Sequence, residues 1–142
     1  MPTYTATMAR NGNSAFTDGP AGQAYTAYSS YTITAAFALN DVIEMLRVPA
    51  GARIVGVELK TSKLDSSTGI VLDVGDAGDT DRLIDGATIG QAGGTSTALV
   101  SSTGQFYKYT AETVISVLVQ VAATGTAATT GTIELAVDYV LQ

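Results

Sequence analysis

The densest run of side chains able to do chemistry is Asp73 to Gly86, DVGDAGDTDRLIDG, with five carboxylates and one cation in fourteen residues. Carboxylates at this spacing suit two tasks, ligating a hard cation and acid–base catalysis. Calcium takes about six to eight oxygens, and Asp76, Asp79, Asp81 and Asp85, with carbonyls near Gly78, are the candidates for supplying several of them. The order of an EF-hand is absent, because no Glu closes the loop where that motif requires one. Asp and Gly in such a run more commonly shape turns, with Arg82 pairing a neighbouring aspartate, so no metal is expected. Two of these aspartates at the roughly 5 to 10 Å of a glycosidase pair would also want aromatic platforms for sugar, and the chain has no Trp.

Other chemistries lack their residues. There is no Cys and no His, which removes disulfides, the usual zinc sites, thiol nucleophiles and the neutral-pH proton shuttle together. Ser29, Ser30, Ser101 and Ser102 therefore have no imidazole to activate them. The Gly-rich stretch Gly90 to Leu99, GQAGGTSTAL, lacks the Lys and the spacing of a phosphate-binding loop. No catalytic residue and no cofactor are expected, and the chain reads as a non-enzyme.

Partners are bounded in the same way. Seven Lys and Arg against thirteen Asp and Glu give a net charge of −6, and the cations are scattered from Arg10 to Lys108, so nucleic acid is not an expected partner. The apolar runs Val114 to Val119 and Ile133 to Val140 are far shorter than the roughly 20 residues that cross a bilayer, so no membrane partner is expected. Met1 to Arg10 has no apolar core of signal-peptide type, which places synthesis and assembly in a cytoplasm.

The elements that must position these residues are strands. Only 14% of residues are charged, fifteen are Gly, and Thr, Val, Ala and Ile abound, a composition that suits strands and turns better than solvent-facing helices. Tyr31 to Leu39 and Asp41 to Val48 are expected to form a hairpin about Asn40. Val48-Pro49-Ala50-Gly51 fits a type I turn, and Ala52 to Thr61 follows with Val55, Val57 and Leu59 expected inward and Ile54, Gly56, Glu58 and Lys60 outward. Gly69 to Gly75 points Ile70, Leu72 and Val74 inward, Val71 and Asp73 outward. Asp79 to Ile84 is the one candidate for a helical turn. Phe106 to Tyr109, Thr113 to Ala122 and Thr132 to Val140 complete the set, the last two as a meander or hairpin.

About seven short strands without a long amphipathic helix predict an all-β fold, a two-sheet antiparallel sandwich of jelly-roll or immunoglobulin-like style. Residues 1–30 carry aromatics among Gly, Ser, Thr and Ala without apolar period and are expected to be an extended N-terminal arm; residues 31–142 are the single sandwich domain. Tyr4, Phe16, Tyr25 and Tyr28 are the partner-binding candidates, rings an arm would lay on a neighbour. The competing expectation is that the arm folds back and these rings, with Tyr31, pack on the sandwich itself.

Two stretches, VPAGARIVGVELKTSKLDSSTGIVLDVGDAGDTDRLIDGA at residues 48–87 and YKYTAETVISVLVQVAATGTAATTGTIELAVDYV at 107–140, resemble small structural proteins encoded in tailed-phage head gene clusters. What recurs is a VPAG turn, a DVGD loop, a YKYTAET step and a closing strand ending in VDY. The resemblance implies a capsid decoration or cement role on the virion surface, with the major capsid protein as partner and self-association into a homo-oligomer, trimeric clusters being one form. The alternatives are a receptor- or glycan-binding β-module of a phage fibre and a bacterial surface adhesin or matrix subunit. The missing His and Cys generate a first test: the purified chain should show no hydrolase turnover, and turnover abolished by a single Asp→Asn change would contradict it.

Overall fold

The computed structural model describes residues 1–6, 23–97 and 103–141. Among the described residues nine strands form two sheets. In chain order they are β1 (Thr3–Thr5), β2 (Ala24–Ile33), β3 (Val42–Val48), β4 (Ala52–Thr61), β5 (Val71–Asp76), β6 (Asp79–Ala87), β7 (Gly94–Ser96), β8 (Thr113–Val121) and β9 (Gly131–Leu141), with one 3-10 turn at Ile89–Gln91. One sheet has the order β1-β3-β8-β5-β6, the other β2-β9-β4-β7. All pairings are antiparallel except β1 with β3. The all-β sandwich expected from composition and period is present.

Its connections differ from the expected ones. The chain crosses between sheets after β2, β3, β4, β6, β7 and β8, and only β5 and β6 are consecutive strands that pair. Asn40 does sit at a tight turn, in the left-handed region at φ 65°, with the Ala38 N–H donating to the Asp41 carboxylate at 2.8 Å. That turn ends a crossing, not a hairpin: β2 pairs along its whole length with β9, leaving residues 34–41 to carry the chain over the core to β3. Likewise β8 and β9 lie in opposite sheets. Their apolar faces, each with period two, are both buried because they look into one shared interior from two sides. Residues 24–30, assigned above to the arm, are the first seven residues of β2.

Three side-chain orientations also differ, each for a backbone reason. In β4 the pairing with β9 slips between Ile54 and Gly56. This bulge reverses the inside–outside phase, so Ile54 is fully buried and Val55 stands 39% exposed. In β5, Asp73 is buried and not outward; its carboxylate accepts the Gly86 N–H at 2.8 Å, which satisfies it where the ladder with β6 is irregular. Asp79 to Ile84 is strand, not helix. Ala77 and Gly78 turn β5 directly into β6, and Leu83 and Ile84 are both buried. Phe106 to Tyr109 forms no strand beyond a single bridge at Lys108, although it bonds backbone to backbone with Ala52 and Ile54.

The interior is aliphatic: Ile43, Met45 and Val48 of β3, Leu72 and Val74 of β5, and Ile115, Val117 and Val119 of β8 belong to the same buried cluster as Ile54, Val57, Leu59, Ile133, Leu135 and Val137. The bulge predicts an asymmetry between neighbours. Ile54→Ala should destabilise by about 2–5 kcal/mol, whereas Val55→Ala should stay within about 0.5 kcal/mol; urea titrations that rank them the other way would show the expected period-two phase to be right and the bulge wrong.

Candidate functional site

The four aromatic candidates have different fates. Tyr4 is half-buried, its ring 5.3 Å from that of Phe37 and 6.0 Å from that of Tyr31. Burial first, then the nearby Asp41 charge, pushes its phenol above the ordinary value. Tyr25 is half-buried against Tyr139, ring centres 5.8 Å apart. Tyr28 is 52% exposed on the outer face of the four-stranded sheet. Its hydroxyl donates to Glu134 at 2.7 Å, and Lys60 pairs the same carboxylate at 2.8 Å. Lys60 first, then Tyr28, holds Glu134 below the usual carboxylate range. Phe16 lies outside the described residues. Tyr4 and Tyr25 thus follow the fold-back expectation, and Tyr28 keeps half its ring free.

The aspartate run is a structural hub. Asp76 Oδ2 accepts Arg82 Nε at 2.6 Å and the Tyr109 hydroxyl at 2.9 Å, while Oδ1 accepts the Gly78 and Asp79 N–H groups at 2.8 and 3.1 Å. The Arg82 guanidinium lies 3.9 Å from the centre of the Tyr107 ring, a cation–π contact, and Tyr107 meets Tyr109 edge to face. Burial alone would raise the Asp76 pKa; hydrogen bonds from Arg82 and Tyr109 override it and hold the carboxyl below its ordinary value. Burial and the facing Asp76 charge push the Tyr109 phenol far up. The hub fastens the β5–β6 turn to the 107–109 segment. Both oxygens of Asp76 are committed, Asp79 faces Arg82 at 3.6 Å, Asp85 is exposed, and among the described residues no three such groups converge as a metal site would need.

A second hub carries no signal that sequence reasoning singled out. Asp65, buried between β4 and β5, accepts five backbone N–H bonds: Ser67 and Gly125 on Oδ1, both at 2.9 Å, and Gly69, Ile70 and Thr124 on Oδ2 at 2.9, 3.1 and 3.0 Å. The local part is an Asx-type turn, legible in DSSTG; the distant part, the 122–130 loop between β8 and β9, is not. Gly125 must be Gly, because a Cβ there would overlap the Ser66 hydroxyl. Burial opposes ionisation, yet the amides of Ser67, Thr124, Gly69 and Gly125 outweigh it and hold Asp65 well below the carboxylate range.

Among the described residues a wide, open depression of about 480 Å³ lies between Lys63 and Thr130, and two others lie on the outer faces of the sheets. One, of about 220 Å³, lies on the outer face of the five-stranded sheet over Val42, Val114 and Leu118, with Thr3, Glu44 and Thr80 among its walls. The other, shallower and of about 250 Å³, lies beside Tyr28 between Glu58, Lys60 and Glu134. Neither brings together a nucleophile and a base.

The Asp65 hub generates a pH prediction. A carboxylate depressed in the fold stabilises above its unfolded pKa, near 3.9, and that contribution is lost as pH falls through the folded value. Wild type should therefore lose stability steeply below about pH 4. Asp65→Asn, which aims an NH2 at backbone donors, should lower the melting temperature at neutral pH by at least about 5 °C and flatten the acid limb; an unchanged acid limb would show that Asp65 does not carry it.

No protein-family model matches the chain, and no curated protein matches it. Solved structures do. A chain of the capsid of Ralstonia phage GP4 superposes with a TM-score of 0.86 at 27% identity, over 99% of this chain and 99% of that one. A chain of the capsid asymmetric unit of cyanophage Pam1 superposes with a TM-score of 0.75 at 32% identity, over 91% and 92% respectively. The similarity takes in the sandwich together with the β1 and β2 strands that precede the stretches of sequence resemblance, so it concerns the chain as a whole. An all-β subunit matched over 91% or more of its length by chains of two phage capsids has a structural role, and this chain belongs to a family of phage head structural proteins.

Proposed function

We propose that the chain decorates or cements the head of a tailed phage, binding the shell of major capsid protein from outside after assembly in the host cytoplasm. The observation that carries this reading is the end-to-end match at 99% of both lengths to a capsid chain: the sandwich corresponds there to a whole small subunit, the size suited to an accessory component added to a shell. The physical design agrees. A net charge of −6 keeps a free subunit soluble, Asp65 and Asp76 are tied up inside, and a shell multiplies a modest contact over many identical sites. Tyr28, half exposed beside Glu58 and Lys60, is the aromatic candidate we assign to the shell contact. Self-association into trimeric clusters fits the same reading.

The test uses heads assembled without this chain. Purified protein should co-sediment with them saturably, at a fixed copy number per shell, and should raise the temperature at which the heads release DNA. Binding of the isolated chain to host cells or glycans, with no affinity for heads, would replace this reading with that of a receptor-facing module.

A further inference from the structure

Among the described residues two that are not glycine hold a positive φ, Asn40 at 65° and Phe106 at 61°. Asn tolerates this left-handed region, whereas a bulky side chain is strained there. The Phe106 ring nevertheless stands 57% exposed, so packing in the core does not offset the strain. Its main chain is fixed. The N–H donates to the Ile54 carbonyl at 3.0 Å, the carbonyl accepts Arg53 Nη1 at 2.8 Å, and the Ile54 N–H donates to the Tyr107 carbonyl at 3.0 Å. Gly104, two residues earlier, lies so close to β6 that a Cβ there would overlap the Arg82 carbonyl oxygen. The β4 bulge adds a second irregularity at the same place, turning Val55, next in the chain to Ile54, outward at 39% exposure. Two departures from regular backbone thus hold two apolar side chains at the surface, in the manner of a pre-organised anchor.

We propose that Phe106, together with Val55, is the knob of a contact between copies of this chain, and that it seats in the depression of about 220 Å³ on the outer face of the next copy's five-stranded sheet. The inference rests on the self-association proposed above and names the surfaces that make it. Three observations select a second copy as the occupant. The depression is apolar and roomy: Val42 and Leu118 pair across β3 and β8 with Val114 nearby, while Gly75 and Ser116, small partners in the β5–β8 ladder, leave space between them. An apolar cavity of about 150 Å³ holds benzene, so this one suits a phenyl ring and its methylene. Charges at the two rims are opposite. Lys108, exposed two residues after Phe106, accompanies the knob, and Glu44 stands in the wall of the depression. Knob and depression also lie on different surfaces, the first on a segment bonded to β4 and the second across β3, β8 and β5. The contact is therefore heterologous, each copy using one of each, the arrangement from which closed rings of copies are built.

The experiment compares wild type, Phe106→Asn and Ser116→Tyr, the last filling the depression from its floor, by sedimentation velocity of the full chain and by cross-linking on heads assembled without it. Asn is at ease in the left-handed region, so Phe106→Asn should melt no lower than wild type, which a residue holding the fold together would not allow. Its self-association should weaken at least about tenfold, and Ser116→Tyr should weaken it alike. Mixed, the two variants keep one intact contact per pair, so dimers should form and nothing larger. Wild type that stays single, in solution and on heads, would overturn the self-association reading itself. Association unchanged by both substitutions, or a mixture without dimers, would overturn the inference alone. Loss of attachment to heads by Phe106→Asn, with wild type single throughout, would overturn it and assign the knob to the shell. Should either variant not fold, oxidation decides. The chain has no Cys, so copies carrying Gln105→Cys should cross-link to copies carrying Thr80→Cys, both positions being exposed; a yield no higher than with the exposed Thr95→Cys would refute the contact.

Discussion

The burial of two aliphatic strand faces against one another is the constraint from which this structure follows. Ile115, Val117 and Val119 on β8, and Ile133, Leu135 and Val137 on β9, are fully buried, yet no main-chain ladder joins the two strands. At about 25 cal/mol per Å² of apolar surface removed from water, neither face is stable in solvent, and each sheet exists because the other covers it. Apart from β5 and β6, strands adjacent in sequence therefore lie in opposite sheets, and the loops between them must cross the edge of the core.

Those crossings explain where the buried charge goes. A loop packed at the mouth of a sandwich carries N–H groups with no strand to receive them. Asp65 answers this for two loops at once, and Asp76 for the β5–β6 turn and the segment holding Tyr109. Both carboxylates are anions in the fold because the donors around them outweigh the cost of burial. Asp73 shows the opposite balance: one amide is not enough, and burial pushes its pKa up. Within the acidic run that invites a metal or catalytic interpretation, Asp73 and Asp76 are committed to holding the fold, while the face at Tyr28, Glu58 and Lys60 keeps its polar groups at the surface.

What was legible in the sequence is what has a local cause. Period two in β8 and β9 and the turn residues at Asn40 and at Pro49–Gly51 lead directly to a β-sandwich, although the turn closes from the Ala52 N–H to the Pro49 carbonyl with Gly51 at φ 87°, one residue later than Val48–Gly51 suggests. The pairing partners were not legible, because an apolar face shows that a strand is covered and not by which sheet. The bulge at Val55 inverts a phase that the residues alone state clearly, and Leu83 and Ile84 look like the start of a helix until the Asp76–Arg82 pair closes the turn before them. Asp65 was missed since two of its five donors lie 59 and 60 residues away. The aromatics of the first thirty residues read as contact-makers, and within the chain Tyr4 meets Tyr31 and Phe37 while Tyr25 meets Tyr139.

The position of β9 has a consequence for how such a subunit comes into being. It is the last strand, yet it lies between β2 and β4 and supplies the central ladders of the four-stranded sheet. Until the ribosome has released residue 141, β2 and β4 have no common partner, and the faces that β3, β5 and β8 offer to the interior stay uncovered. Such long-range pairing makes folding slow and leaves edges exposed meanwhile. The four-stranded sheet can therefore close only after β9 has emerged to fill the place between β2 and β4.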